Sequence, residues 1–311
     1  MAKSPEISTI AHSGASVSIV LCTYNGARFL EKQIQSIFDQ DYTSISEIIC
    51  VDDCSTDQTW DILLRYSNEN PQLKPVRNEV NLGYNGNFQK ALLLASSDLI
   101  AIADHDDIWL PSKISDLVAN IESSLMVYSD DELIDENDLP IGIKKSDKRK
   151  LGAIDSCINF APFNVISGHT MLLRKELLDQ CVPFPTTVIY DYWLAFRAVQ
   201  FAEIKYVDKP LVLFRQHQAN ATLGKKSMSK ADEFALNSIR LAIFADNIET
   251  HLERERRFYS TYLQVYGAKH LNKKWKLFVL LMSNFREFQR FKKKGLLAKL
   301  FFPFKAFVKQ V

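Results

Sequence analysis

The sequence predicts an α/β protein in which a mixed, mostly parallel sheet is flanked by helices and followed by a helical C-terminal extension. Short runs rich in β-branched residues alternate with amphipathic helical patterns over residues 16–228, which is typical of βαβ units. After about Ser229 only helical patterns occur. A length of 311 residues and a hydrophobic fraction of 47% suit one large domain with an appendage. We therefore divide the chain into a flexible polar tail at 1–15, an α/β domain at 16–228 and an extension at 229–311.

The strands are predicted from short apolar runs that end at turn-forming residues. The first run, at residues 16–22, ends at Thr-Tyr-Asn-Gly, and the run at 99–103 ends in a group of carboxylates. Residues 130–150 are polar and charged, which indicates a loop or an edge hairpin. In chain order the predicted strands are residues 16–22, 45–51, 75–77, 99–103, 125–129, 170–173 and 211–214.

The helices are predicted where apolar residues recur at three- and four-residue spacing, as they do in residues 27–38. A residue among 55–57 can cap the second helix, and Pro111 suits the first turn of the fourth. In chain order the predicted helices are residues 27–38, 58–67, 85–95, 111–122, a segment from 175, and 191–202.

Composition and charge exclude several classes of protein. Residues 270–311 carry eleven Lys or Arg and one acid, which leaves about −9 on the rest of a chain whose net charge is +1. This acidic body argues against nucleic-acid binding. Five scattered cysteines and an N-terminus without a secretory pattern predict a reduced, cytoplasmic setting. The sequence lacks the run of about 18 apolar residues that a transmembrane helix needs.

The most informative motif is Asp-His-Asp-Asp at residues 104–107, directly after a predicted buried strand. Three carboxylates this close repel one another, and each raises its neighbours' pKa. A bound Mg²⁺ or Mn²⁺ reverses that cost, and such an ion commonly takes further ligands from substrate phosphates. Asp107 can instead cap the following helix, and a solvated acidic loop is the alternative for the whole motif.

Polar residues also follow the first two strands. Because ligands of such sheets bind beyond the carboxyl ends of the strands, we expect Tyr24, Asp53 and Asp104 to converge on one edge. A carboxylate at Asp53 can accept a hydrogen bond from a nucleobase imide N–H. The alternative is that this segment only shapes a turn and caps a helix.

Three later residues are further candidates. Asp191 lies at the start of a predicted helix between tyrosines, where it can be a general base for a sugar hydroxyl or simply the helix N-cap. Arg215 can bind phosphate, and His217 can bind a metal or a diphosphate, although a single histidine is more often structural. The turn Gly168-His169-Thr170 allows a close backbone approach to a ligand or is an ordinary turn.

Six ordered motifs resemble those of family 2 glycosyltransferases with the GT-A (Rossmann-like) fold, over about residues 16–222. They are residues 20–25 (VLCTYN), 51–57 (VDDCSTD), 81–87 (NLG with Asn87), 104–109 (DHDDIW), 191–193 (DYW) and 215–220 (RQHQAN). The fourth and sixth motifs are similar to the rhamnosyltransferase-like branch in particular. The chain departs from that pattern at His105, where relatives often carry Gln.

The resemblance implies an inverting, metal-dependent transfer of a sugar from a nucleotide-diphosphate donor, either dTDP-rhamnose or a UDP-sugar. The acceptor is expected to be a glycan or a lipid-linked precursor in cell-surface polysaccharide synthesis. Asp191 is then the catalytic base. The implied metal ligands, for Mn²⁺ or Mg²⁺, are Asp106, Asp104 and His217. The implied nucleotide-sugar-binding residues are Thr23, Tyr24, Asn25, Asp53, Asn87, Asp104 and Arg215.

Two alternative functions stay open on the sequence. A sugar nucleotidyltransferase generally carries a Gly-rich phosphate loop after its first strand, whereas this chain has a single glycine there, Gly26. A non-catalytic protein that binds a nucleotide sugar or a lipid would not need Asp106 and Asp191.

The extension mixes aromatic and basic residues from about residue 270, including the run Arg290-Phe291-Lys292-Lys293-Lys294. A basic amphipathic helix can bind an anionic lipid surface, which would place the enzyme peripherally on the inner face of the cell membrane. The alternative is a helical cap that packs on the domain with its lysines in solvent.

Overall fold

The computed structural model describes residues 14–218, 229–267, 270–293 and 303. Its strands are β1 (Val17–Thr23), β2 (Ile45–Asp52), β3 (Leu73–Arg77), β4 (Leu99–Asp104), β5 (Ile108–Trp109), β6 (Met126–Ile134), β7 (Pro140–Lys144), β8 (Met171–Arg174) and β9 (Lys205–Arg215). Its helices are α1 (Ala27–Phe38), α2 (Thr59–Glu69), α3 (Gly83–Leu94), α4 (Lys113–Ile121), α5 (Lys145–Lys148), α6 (Tyr190–Ala198), α7 (Lys230–Asp246), α8 (Glu253–Val265), α9 (Leu271–Ser283) and α10 (Phe285–Phe288). Short 3-10 helices lie at Cys157–Phe160, Gly168–Thr170 and Lys175–Gln180.

The strands form one mixed sheet. In the described residues it has nine strands in the order β3-β2-β1-β4-β8-β6-β9-β5, with β7 paired to β6 at the side. The strands β3, β2, β1 and β4 are mutually parallel, β8 is antiparallel to both of its neighbours, and β6 and β9 are parallel to each other. Most strands therefore run in one direction, which confirms the predicted fold class.

Helices cover both faces of the sheet because the strand side chains are apolar on both sides. On one face, residues such as Ile19 and Leu21 pack with Leu30 of α1 and Leu117 of α4. On the other face, α3 and α6 pack against alternate strand residues such as Val20. Strands buried on both faces read as nearly continuous apolar runs, which is why the sequence predicted them.

The C-terminal extension belongs to the second of these cores. Phe196 of α6 stacks on Phe244 of α7 with ring centroids 3.9 Å apart, and Tyr259 of α8 donates a hydrogen bond to the carbonyl of Cys157 at 2.8 Å. Ser229 caps α7 by accepting a hydrogen bond from the backbone N–H of Asp232. Among the described residues no helix is both long enough and apolar enough to span a bilayer.

Several boundaries differ from the prediction for identifiable reasons. Ala15 is not part of a loose tail, since it is buried and its carbonyl accepts a hydrogen bond from Tyr42 at 2.6 Å. The rest of the predicted tail, residues 1–13, lies outside the described residues. The predicted edge hairpin at 130–150 is present as β6 and β7, although β6 runs on to Ile134.

Candidate active site

The register of the parallel strands brings the predicted site residues to one edge. Thr23 is paired with Asp52 across β1 and β2, and Cys22 is paired with Asp104 across β1 and β4. The ends of β1, β2 and β4 therefore lie side by side at the carboxyl edge of the sheet, which we call the hollow of the candidate site together with the residues that face it. The predicted convergence is confirmed.

The turns after β1 and β2 are bound to each other. Asn25 has a positive φ of 49°, and its backbone N–H donates to the hydroxyl of Ser55 at 2.9 Å. Its side-chain carbonyl accepts from the N–H of Thr56 at 2.9 Å, and the hydroxyl of Thr23 donates to Asp52 at 3.1 Å. Thr23 and Asn25 thus hold the turn, which leaves the ring of Tyr24 49% exposed at the edge.

Asp53 and Asn87 lie beneath this turn and are occupied by protein groups. The Asp53 carboxylate accepts from the N–H groups of Leu82 and Gly83 at 2.7 and 2.9 Å, so it caps the start of α3. It also accepts from Asn78 at 2.7 Å. The amide of Asn87 donates to the carbonyl of Val51 at 3.1 Å and accepts from Asn78 at 2.9 Å. Asp53 therefore binds the start of α3 and not the start of α2, the helix that follows its own segment, and its nucleobase contact stays a prediction.

A histidine from the far side of the hollow contacts the acidic motif. His169, in the 3-10 turn Gly168–Thr170, has its Nδ1 atom 3.3 Å from Asp104 Oδ2 and 3.4 Å from Asp107 Oδ2. Its Nε2 atom lies 3.5 Å from Asp131 Oδ2 on β6. Burial opposes a charge on His169, but Asp107 and the hydrogen bonds to Asp104 and Asp131 raise its pKa to about 10. His169 is therefore the resident cation of this cluster at neutral pH.

Asp107 is wholly buried and does not cap α4, whose N-cap is Ser112. Its Oδ1 atom accepts from the backbone N–H of Arg215 at 3.1 Å, and within the described part of the chain its Oδ2 atom has no hydrogen-bond partner. Burial raises the pKa of Asp107 well above its usual range. The predicted capping role is wrong because β5 intervenes between the motif and the helix.

A lysine is buried on the other side of His169. The ammonium group of Lys113 donates to the carbonyl of His169 at 2.7 Å and lies 3.2 Å from the ring centroid of Trp109. Burial lowers the pKa of Lys113 well below its usual range, against the opposing effect of Asp107 and Asp104. Lys113 therefore fixes the turn that carries His169.

Asp106 faces a second histidine. Its Oδ2 atom lies 2.9 Å from Nε2 of His217, and its backbone carbonyl accepts from Nε of Arg215 at 2.8 Å. Burial opposes ionisation of Asp106, but the bond to His217 and the charge of His105 lower its pKa below the usual value. The ring of His105 itself packs against Gly26, where an added Cβ would lie 2.2 Å from it.

The side chain of Arg215 lies behind the motif and is not exposed in the hollow. Its guanidinium group is fully buried, donates to Asp138 and to the carbonyl of Asp135, and lies 4.5 Å from the ring centroid of Phe29. In this geometry the guanidinium group contacts protein groups, and the phosphate contact of Arg215 stays a prediction. What Arg215 does is hold the backbone of Asp106 against the β6–β7 hairpin.

Asp191 lies near enough to the acidic motif for the charge of Asp104 to act on it. It lies in the first turn of α6, whose N-cap is Ile189, so the N-cap alternative is wrong. The backbone N–H groups of Tyr192 and Gly168 donate to its carboxylate. Burial raises the pKa of Asp191 to about 6, Lys145 opposes the rise, and the negative charge of Asp104 adds to it. Gly168 therefore binds Asp191 while the adjacent His169 binds Asp104.

Two overlapping sets of donors could hold a divalent cation. In the first, ligand atoms of Asp104, Asp107 and His169 lie within 4.8 Å of one another, and no described residue forms a hydrogen bond with the buried Asp107 Oδ2 atom. The second is the predicted set, in which the structure joins Asp106 to His217 and places Asp104 beside His169. Carboxylate oxygens and imidazole suit Mg²⁺ or Mn²⁺, so the donors fit such an ion.

Four residues of the site were missed or left undecided from sequence. His169 lies in a turn for which the sequence favours no role, Asp131 and Lys145 lie in the segment 130–150 that it predicts as a loop or an edge hairpin, and Lys113 lies in a predicted helix. A local signal existed only for Asp131, because a buried strand such as β6 seldom carries two consecutive acids.

Comparison with known proteins identifies the family. The sequence model of Glycosyl transferase family 2 matches residues 18–182, which is more than half of the chain. The chain belongs to glycosyl transferase family 2. This assignment replaces both alternative functions considered above, and the protein is a glycosyltransferase.

Relatives and solved structures agree with the family. An uncharacterized glycosyltransferase of Nostoc sp., alr2836, is 28% identical over 70% of each chain. The Escherichia coli UDP-Glc:alpha-D-GlcNAc-diphosphoundecaprenol beta-1,3-glucosyltransferase WfaP is 32% identical over 67% of this chain and 80% of its own.

Two solved structures share the architecture. Staphylococcus aureus TarS 1-349 in complex with UDP-GlcNAc has a TM-score of 0.58 at 21% identity and covers 88% of this chain and 81% of its own. The mannosyltransferase PcManGT from Pyrobaculum calidifontis, in complex with GDP-Man and Mn²⁺, has a TM-score of 0.52 at 17% identity, covering 96% and 81%. At this identity the likeness shows the fold, which is GT-A.

Proposed function

We propose that this chain transfers a sugar, with inversion, from a nucleotide-diphosphate donor to the hydroxyl of a glycan or lipid-linked acceptor, in a metal-dependent reaction. One observation carries the proposal. The turn at Gly168-His169 binds the Asp191 carboxylate through one residue and the Asp104 carboxylate through the next. A base for the acceptor and an anchor for the donor thus lie across one hollow.

Asp191 is proposed as the base that takes the proton from the acceptor hydroxyl. A carboxylate whose pKa is raised to about 6 is ionised at neutral pH and is a stronger base than an ordinary aspartate. Inverting transfer needs a single displacement at the anomeric carbon, so one base on the acceptor side suffices and no covalent nucleophile is required. The ring of Tyr190, the residue before Asp191, packs against the rings of Tyr84 and Phe88.

The donor is proposed to lie over the turns after β1 and β2. The exposed ring of Tyr24 is free to stack on a nucleobase, while Thr23, Asn25, Asp53 and Asn87 hold the backbone that presents it. WfaP by name uses UDP-Glc, and TarS was solved with UDP-GlcNAc, which supports a UDP-sugar. The motif at residues 104–109 supports dTDP-rhamnose as the other donor to test.

The proposed metal ligands are Asp104, Asp106 and His217, and Mn²⁺ or Mg²⁺ is the proposed ion. When bound, such an ion neutralises negative charge on the leaving diphosphate. His169 neutralises the remaining carboxylates, so Asp104 keeps its orientation toward the hollow. Arg215 acts as a positioning residue for Asp106.

The extension is proposed to bring the enzyme to an anionic lipid surface, on the cytoplasmic side of the cell membrane. An apolar stripe of exposed residues runs along α9 at spacings of four, four and three, and it consists of Leu271, Trp275, Val279 and Met282. The lysines Lys273, Lys274 and Lys276 flank it. WfaP by name acts on a diphosphoundecaprenol-linked sugar, which supports a lipid-linked acceptor. The basic residues at 294–302 and 304–311 lie outside the described residues.

A donor panel tests the proposed function. Melting temperature is measured with UDP-glucose, UDP-GlcNAc, dTDP-rhamnose and GDP-mannose, each with Mn²⁺ and each with EDTA. A donor that binds only the folded chain stabilises it by mass action. We expect one uracil or thymine donor to raise the melting temperature in Mn²⁺ and much less in EDTA. No stabilisation by any donor, or equal stabilisation in EDTA, would contradict the proposal.

Vesicle co-sedimentation tests the membrane surface. The double substitution Trp275→Ser and Val279→Ser removes apolar area from the exposed stripe without removing charge. It should reduce binding to vesicles of anionic lipid, whereas Leu93→Ser, on the exposed face of α3, should leave binding unchanged. Equal binding by all three proteins would remove the membrane assignment.

A further inference from the structure

A second cavity lies between the α/β domain and the extension. Its volume is about 710 Å³, within the range of small-molecule sites, and its walls are residues 150–156, the start of α8, and α10 with the residues that follow it. None of these walls contributes to the candidate active site.

One of the residues that line this cavity carries an unpaired amide. Gln289, directly after α10, is only 2% exposed, and neither its side-chain oxygen nor its side-chain nitrogen has a hydrogen-bond partner among the residues that the structure describes. A buried amide whose oxygen and nitrogen both lack a hydrogen bond costs free energy, and such groups usually have a partner in the functional state. Gln289 offers one acceptor and two N–H donors to whatever fills the cavity.

Most charges on the walls are already paired. Arg254 lies 2.5 Å from Glu287, and Arg290 lies 2.8 Å from Asp155. Glu255 accepts a hydrogen bond from the hydroxyl of Ser156 at 3.2 Å. These pairs fix the shape of the cavity and leave it with little net negative charge.

Two cationic side chains that line the cavity take no part in these ion pairs. Lys150 and Arg286 are exposed, line the cavity, and form no ion pair with any residue that the structure describes. The backbone N–H of Lys150 donates to the carbonyl of Phe291 at 3.1 Å, and this bond joins the wall that carries Lys150 to the extension. Leu151 and Phe285 add apolar surface to the walls of the cavity.

We propose that this cavity binds an oxyanion, phosphate or carboxylate, carried on a hydroxyl-bearing body such as a sugar. Lys150 and Arg286 bind the anion, and the Gln289 amide binds a hydroxyl group. Leu151 and Phe285 contact the apolar face of the ring. A sugar phosphate and a uronic acid share this chemistry, so the experiment separates them.

The test uses the full chain in EDTA, without nucleotide, so that the active site contributes no metal-bound anion. Calorimetric titrations use glucose 1-phosphate, glucuronate, inorganic phosphate and glucose. The variants are Lys150→Ala with Arg286→Ala, and Gln289→Leu. The matched control is Lys273→Ala with Lys276→Ala, which removes the same charge from the extension outside the cavity.

We expect saturable binding of glucose 1-phosphate or glucuronate, and weaker binding of glucose. The double substitution Lys150→Ala with Arg286→Ala should weaken binding of that ligand at least about tenfold, because the loss of one hydrogen bond to a charged group weakens affinity by about that factor. Gln289→Leu should weaken binding while leaving the melting temperature unchanged or higher, because an unpaired buried amide is removed. Absence of binding by all four probes, an equal loss in the control pair, or unchanged binding in Gln289→Leu would overturn the proposal.

Discussion

The raised pKa of Asp191 makes the rate of transfer depend on pH in a specified direction. A base acts only when it is deprotonated, so activity is lost as pH falls through about 6. With that pKa, about 90% of Asp191 is ionised at pH 7 and about 10% at pH 5. The ratio kcat/KM for the acceptor should therefore fall about tenfold between these values.

The charge of Lys145 provides a way to shift the acid limb of the pH profile, the range in which activity is lost as the pH falls. Lys145 is the strongest influence that lowers the pKa of Asp191, and it also lies 4.0 Å from Asp131 and donates to Ser167. Lys145→Met removes that charge, so the acid limb should move upward by roughly one pH unit. Lys148→Met is the matched control, since Lys148 acts on Asp131 and is not among the leading influences on the pKa of Asp191.

The assay is kcat/KM for the acceptor at saturating donor and Mn²⁺, measured from about pH 4.5 to 8. Circular dichroism at each pH confirms that the chain stays folded. An acid limb near 4, or a limb that the Lys145→Met variant leaves in place, would refute the assignment of the limb to Asp191. An equal shift in Lys148→Met would show that the effect is general electrostatics.

Three further predictions concern the geometry of the site. Asp106→Asn should weaken Mn²⁺ binding in calorimetry at least tenfold more than Asp107→Asn if the proposed ligand set is right, and the reverse order would favour the set containing Asp107. Gly168→Ala should abolish transfer because its Cβ would lie 1.8 Å from the Tyr190 hydroxyl, with partial rescue by Tyr190→Phe, and full activity in the single variant would contradict the packing. Arg215→Met should lower the free energy of unfolding in urea by at least about 2 kcal/mol, since buried carbonyls lose their donor, and a change below half of that would refute this role.

The fold could be predicted from the sequence because its signals are local. The apolar stripe of Ala27–Phe38 predicted α1 with its bounds, and uninterrupted apolar runs predicted the parallel strands. Elements stabilised by distant partners were less visible. The strand β5 has only two residues and exists because it pairs with β9, and the segment from Lys175 is a 3-10 helix, not an α-helix.

The candidate site could be predicted only in part for the same reason. Aspartates directly after an apolar run, such as Asp104 and Asp106, can be recognised from the local sequence. His169 lies about 65 positions away in an ordinary turn, and only the pairing of β8 with β4 brings it to Asp104. Likewise, whether Arg215 points at a ligand or into the fold depends on Asp138 across the hairpin, which no local pattern encodes.

The opposed placement of Asp191 and Asp104 is most directly tested with Asp191→Asn, using the donor selected by the panel. Binding of that donor and transfer to acceptor are measured on the same preparation. Donor affinity should stay within about threefold of wild type, while turnover falls by roughly 10²–10⁴-fold. Turnover at the wild-type rate would contradict the account, because a carboxamide in that position has no means of accepting the acceptor's proton.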